Sequence, residues 1–174
     1  KGCTNLTSVK FPSKLATVGK NSFYNCKKLK KASLPVTTKK IGIAAFKNCK
    51  ALKQFVVGKK LRQKKGALPA GGQEIRYGAS SVKLDISASA FENCVSLRQM
   101  VINSLVRRIG NSALKNCKSL RSLIVNSEIL KEVAKRALKG VHNCKISVPS
   151  MKLKPYSVLF KNKGQGKKVI VAKI

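Results

Sequence analysis

The chain repeats itself. Shifted by 23 residues, Asn25-Cys26 falls on Asn48-Cys49 and Asn93-Cys94 falls on Asn116-Cys117, with apolar residues matching around each pair. This period restricts the fold more than any other feature. A unit so short cannot enclose a core of its own, so each copy must bury its apolar face against its neighbours in an array. The fullest copy runs from Ile41 to Val57 and reads I-G-I-A-A-F-K-N-C-K-A-L-K-Q-F-V-V. Its recurring apolar residues Ile41, Phe46, Cys49, Leu52, Phe55 and Val57 are the predicted core.

The other copies are defined by what they keep. A partial first copy passes from Cys3 through Leu6, Val9 and Phe11, and a second carries Val18-Gly19, Phe23, Cys26, Leu29, Ala32 and Leu34. In each, the alternation that follows the leucine predicts a strand with one buried face, and a shorter extended piece ends at the Ile-Gly pair. The A-F-x-N-C segment between them has room for a helical turn only. Gly19, Gly42 and Gly110 are expected where the backbone turns tightly, since glycine lacks a Cβ. Counting on by 23 puts Pro69 on the Phe46 position, Gly72 on the Cys49 position and Ile75 on the Leu52 position, so 58–80 reads as a degenerate copy. Regular copies resume at Ile86 and Ile109. The last keeps Val133, Leu138 and Ile146-Ser147-Val148, and counting back from that strand puts Gly140 on the cysteine position and leaves Cys144 out of series.

The expected fold is a single β-rich solenoid of about seven 23-residue turns over residues 1–149, with short helical turns. A cap of helix and strand follows at 150–174. There Leu153, Tyr156, Leu159 and Phe160 recur at helical steps, Ser150 is a candidate helix cap, and Gly164-Gln165-Gly166 leads to the strand-like Val169-Ile170-Val171. The chain opens inside a repeat unit, so it reads as a piece of a longer one.

Charge is the second constraint. Thirty-eight Lys and Arg against five acidic residues give +33, which draws anionic polymers and weakens in salt. The position after the conserved-pattern leucine reads Thr7, Lys30, Lys53, Arg76, Arg98 and Arg121, so five copies in succession carry a cation beside a buried residue. Stacking makes these a column, the candidate binding site. Lys27, Lys50 and Lys118, just after the cysteines, form a second, partial column. Like charges about 5 Å apart repel by roughly 1 kcal/mol even in water, and an anion laid along the column relieves that repulsion.

Other chemistries find little support. Cysteines at 3, 26, 49, 94, 117 and 144 follow the period without C-x-x-C spacing, which predicts packed free thiols rather than a metal or redox site. His142 stands alone, the five acids form no recurrent pair, and the glycine pairs lack the flanks of a phosphate loop, so neither a catalytic residue nor a cofactor is assigned. Few aromatic residues fall outside core positions, which leaves nucleic acid as a non-specific partner only. No apolar run reaches the roughly 18 residues of a membrane span.

The unit I-G-x-x-A-F-x-N-C-x-x-L with its alternating apolar tail resembles the BspA-like, or Treponema-type, leucine-rich repeat over residues 1–149. The segment 148–168 is similar to the closing segment of such arrays in surface proteins of gut Firmicutes. The resemblance implies a curved right-handed solenoid on a secreted or cell-surface bacterial protein used for adhesion or protein binding, with no catalytic residues to carry over. The expected function is therefore a monomeric extracellular module that binds a host protein, an acidic glycan or an anionic cell-wall polymer. A passive stalk and a nucleic-acid binder are the other readings.

Overall fold

The computed structural model describes residues 2–59, 83–102 and 106–174. Each turn of chain contributes one strand to each of two parallel sheets. Sheet A takes the short pieces: β1 (Thr17–Val18), β3 (Lys40–Ile41), β5 (Leu84–Ile86), β7 (Val106–Ile109) and β9 (Glu132–Val133), in that spatial order. Sheet B takes the longer ones: β2 (Lys31–Pro35), β4 (Gln54–Lys59), β6 (Gln99–Ile102), β8 (Ser122–Val125), β10 (Asn143–Val148) and β11 (Lys168–Lys173). Sequential strands of one sheet are neighbours and run parallel, as a coil of chain requires.

Between the sheets lies one continuous core. Ile41, Phe46, Cys49, Leu52, Phe55 and Val57 are all fully buried, as are their counterparts Ile86, Phe91, Cys94, Leu97, Met100 and Ile102. Phe23, Phe46 and Phe91 stack nearly parallel, with centroids 5.0 and 5.5 Å apart, and Phe55 meets Phe46 and Phe91 edge-on. Offset rings at this distance gain about 0.5–1.5 kcal/mol beyond their burial.

The segments between sheets A and B are strings of overlapping four-residue hydrogen-bonded turns and not helices. In the third copy the amides of Ala45, Lys47 and Cys49 donate to the carbonyls of Gly42, Ala44 and Phe46. Two residues per turn sit in the left-handed region, Ala44 and Asn48 here, Ser89 and Asn93 in the next, which no helix tolerates. Asparagine holds that conformation at low cost, and its amide does more. Asn48 donates to Asn25, Asn93 to Asn48 and Asn116 to Asn93, each at 2.9 Å, forming a side-chain ladder that runs up the molecule. Gly140, with φ of +82°, takes the next place in that ladder, so it occupies the asparagine position and Val141 the cysteine position. The count back from the strand that put Gly140 on the cysteine position fails because the stretch from Val141 to Ile146 is one residue shorter than its counterpart from Cys117 to Leu123.

The cysteines are free, and burial has a polar reason. Cys49, Cys94 and Cys117 donate their thiols to the carbonyls of Phe23, Phe46 and Phe91 at 3.1, 3.1 and 3.3 Å, each one turn back. Burial pushes the Cys49 and Cys117 thiols up to about 12 and that of Cys144 to about 11, so none is a poised nucleophile. Cys144 is packed, whereas Cys3 in the incomplete first copy is exposed.

The expected degenerate copy at 58–80 lies almost wholly outside the described residues. Its neighbours nevertheless settle the stacking. Ile41 pairs with Ile86, Gln54 with Gln99 and Val57 with Ile102, so the third copy rests directly on the one that begins at Leu84. The described array has about six turns against the seven expected, and in sheet B five strands come from repeat copies and the sixth, β11 (Lys168–Lys173), from the cap. The carboxyl-terminal segment also differs in detail. Ser150 opens a short 3-10 turn (Ser150–Lys152) and makes no side-chain cap, and the helix α1 (Leu153–Phe160) follows it. Tyr156 anchors α1: its hydroxyl donates to the Ser127 carbonyl at 2.9 Å and accepts from the Leu130 amide at 3.0 Å. β11 then extends sheet B, pairing with β10 from Asn143–Lys168 to Val148–Lys173.

The glycine after the sheet A strand is explained by this stacking. Its φ is not left-handed. A Cβ on Gly42 would lie 2.7 Å from the Gly19 and Lys20 main chain, and one on Gly110 would lie 2.7 Å from the Ala88 nitrogen, whereas one on Gly19 meets only the Ser22 hydroxyl at 3.1 Å. Gly42→Ala and Gly110→Ala should therefore each cost about 1–3 kcal/mol in urea unfolding, and Gly19→Ala should cost under about 1 kcal/mol.

Candidate binding surface

The basic column begins at a corner. In the copies that carry the column the chain enters sheet B through a turn in which the leucine amide donates to the cysteine carbonyl, at 3.2 Å for Leu29 to Cys26 and 3.0 Å for Leu97 to Cys94. That bond points the leucine inward and leaves the following residue facing out. Lys30, Lys53, Arg98 and Arg121 are all exposed. They are also tied to one another through the main chain: the amide of Lys53 donates to the Lys30 carbonyl, Arg98 to Lys53 and Arg121 to Arg98, at 2.9 to 3.0 Å. The four cations therefore stand one strand spacing apart, about 4.8 Å. Arg76 lies outside the described residues. Arg121 is the most constrained member, since its Nη1 donates to the carbonyls of Lys118 and Leu120 at 3.1 and 3.3 Å.

Beside the column lies the outer face of sheet B. One row of side chains is polar, Lys31, Gln54, Gln99, Ser122 and Lys145, with Gln54 Nε2 donating to Gln99 Oε1 at 2.8 Å. The next row, Ser33, Val56, Val101, Ile124 and Ser147, is half-buried and apolar at its centre.

The described acidic residues that form ion pairs sit elsewhere. On sheet A, Arg107 makes a bidentate contact with Asp85 at 2.6 and 3.2 Å, and Arg108 pairs with Glu132 at 3.1 Å. Glu92, in the turn that follows sheet A, is clamped by Lys47 at 2.9 Å and Lys115 at 2.8 Å from the turns on either side. None of the ion pairs among the described residues reaches Lys30, Lys53, Arg98 or Arg121. These exposed lysines and arginines thus differ from Arg107 and Arg108 of sheet A and from Lys47 and Lys115, each of which faces a carboxylate. His142 is exposed on the chain just before β10, and among the described residues no group of three or more His, Cys, Asp and Glu could hold a metal ion.

Glu92 gives the stacking a pH dependence. Burial raises its pKa, but hydrogen bonds from Lys115, Lys47 and Ser89 outweigh burial and bring the carboxyl from 4.5 down to about 2. A depressed folded-state value stabilises the fold above the unfolded value and loses that contribution as pH falls through the folded one. Wild-type stability in urea should therefore decline between pH 4.5 and about 2. The Glu92→Gln variant should be weaker at neutral pH and should show a shallower decline across that window.

Comparison with known proteins agrees with this architecture. A family model for the BspA type leucine rich repeat region matches residues 1–67 and 84–173 in six copies. No curated protein matches the chain. Among solved structures, a leucine-rich repeat protein of T. pallidum superposes with a TM-score of 0.58 at 20% identity, covering 96% of this chain and 73% of its own. A leucine-rich cell surface protein of Faecalibacterium prausnitzii superposes with a TM-score of 0.53 at 18% identity, covering 97% of this chain, which spans only 44% of that protein. Identities this low speak to fold alone. With its repeat unit matched over most of its length and its two parallel sheets coiled as the unit requires, the chain belongs to the BspA-type leucine-rich repeat family.

Proposed function

We propose that the chain is an extracellular interaction module, carried at a bacterial surface, that holds an anionic partner along the corner where sheet B begins. Family membership supports a binding role, and the fold shared with a cell surface protein of F. prausnitzii supports the location. One observation carries the choice of surface: the described acids with ion pairs are Asp85 and Glu132 on sheet A and Glu92 in the turn that follows it, and none pairs with the column of four exposed cations. Like charges set one strand apart cost about 1 kcal/mol per neighbouring pair. An anionic partner converts that cost into attraction, and the neighbouring half-buried row of Val56, Val101 and Ile124 offers apolar contact beside it.

The reading is tested with an immobilised sulfated glycan at several salt concentrations. Two variants carry the same change in net charge: Lys53→Glu with Arg98→Glu and Arg121→Glu on the column, and Lys39→Glu with Lys131→Glu and Lys135→Glu on the sheet A side. Three exposed ion pairs at about 0.2–1 kcal/mol each, turned from attraction to repulsion by the charge reversal and so counted twice, amount to about 1.2–6 kcal/mol against the 1.4 kcal/mol of one decade. The column variant should therefore lose at least about tenfold in affinity and the control variant much less. Equal losses would reduce the effect to bulk charge, and absence of saturable binding would leave a spacer.

A further inference from the structure

We infer that the partner is a linear anionic polysaccharide lying parallel to the solenoid axis, with one charged sugar unit opposite each turn. This rests on the basic corner being a binding surface and goes on to say what fits it. The corner carries two rows of cations, not one. The residue after each cysteine gives Lys27, Lys50 and Lys118, all exposed, with Val95 in the fourth turn. The rows are stacked by the same main-chain bonding, since the amide of Ala51 donates to Lys27 and that of Ser119 to Val95, at 3.0 and 3.2 Å. Between this row and the one formed by Lys30, Lys53, Arg98 and Arg121 come Lys28, Ala51, Ser96 and Ser119, of which Lys28 is exposed and the other three, in successive turns, are small and half-buried. The result is a straight strip with cationic margins, a low middle and two hydroxyl groups along it.

Spacing selects the polymer. Successive turns advance by about 4.8 Å, so the row from Lys30 to Arg121 spans about 14 Å in equal steps. A hexuronate or sulfated hexose unit in an extended chain advances by nearly the same step, so its charges stay in phase with the rows. Same-side residues of an extended peptide repeat at about 6.8 Å and drift out of phase within two turns. A nucleic-acid duplex turns its phosphates away from a straight row, and a single strand calls for aromatic platforms. The described phenylalanines are instead committed to the core, stacked on one another at Phe23, Phe46 and Phe91.

The test compares the whole chain with size-defined heparin oligosaccharides, polyglutamate and duplex DNA at physiological salt. Affinity for heparin should climb steeply from disaccharide to tetrasaccharide, which occupies the four turns, and flatten beyond it. Polyglutamate and DNA of equal charge should bind at least about tenfold more weakly. A neutral change in the strip, Ser96→Leu with Ser119→Leu, should weaken heparin about tenfold and leave polyglutamate unchanged. Lys50→Gln with Lys118→Gln provides a second variant should the leucines unfold the corner, and is expected to weaken the tetrasaccharide more than the disaccharide. Equal affinity for all three polymers, or affinity that keeps rising with heparin length, overturns the polysaccharide assignment while leaving an anion-binding corner. Tighter binding of polyglutamate overturns it in favour of an acidic protein. No binding to any of them overturns this inference and the proposed function together.

Discussion

The rest of the structure depends on the hydrogen bond between equivalent main-chain groups of successive turns. Once Lys53 bonds Lys30, and Arg98 bonds Lys53, every side chain is fixed above its counterpart at one constant rise. Three further ladders become possible only at that rise: the asparagine amides, the stacked phenylalanines, and the thiols bonded to the carbonyls of the previous turn. Each satisfies a buried polar group or fills the core, and each fails if one turn shifts. The same closeness forbids a side chain at Gly42 and Gly110.

Translation acts on surface residues as it does on the core. A repeat that stacks identical asparagines to advantage also stacks identical cations at a cost. On sheet A the cost is removed by alternation, with Asp85 beside Arg107 and Arg108 beside Glu132. Glu92 does the same for Lys47 and Lys115. At the corner that leads into sheet B no such exchange occurs. The fold tolerates this because the side chains are long, exposed and screened by salt. What distinguishes the corner is therefore less the number of cations than the places where anions were spent.

Much of this was legible in the sequence, because a period exposes whatever recurs. Ile41, Phe46, Cys49, Leu52, Phe55 and Val57 stand in the core where their recurrence puts them. Lys30, Lys53, Arg98 and Arg121 stand outward because each follows a leucine that must face in. Counting fails where the chain departs from its period. It slipped by one residue at Gly140, where the chain between the cysteine position and the following strand loses a residue. The role of the glycines was also hidden, since close approach between turns is a property of two copies and not of one. Segregation of the acids could not be read at all. Asp85 and Glu132 belong to different copies, and their partners are known only once the strands are paired.

The central claim is that the third copy lies directly on the one beginning at Leu84, which makes both the core and the cation rows continuous. Engineered cysteines test it most directly. Gln54 and Gln99 pair across adjacent strands on the outer face, so their Cα atoms stand about 4.8 Å apart, within the 4.4–6.8 Å range for a disulfide. Under mild oxidation the Gln54→Cys, Gln99→Cys variant should yield the crosslinked peptide by mass spectrometry, and Gln54→Cys with Ser122→Cys, two strands apart, should not. Absence of the first crosslink in a folded variant would mean that another turn separates the two copies, and would contradict the account.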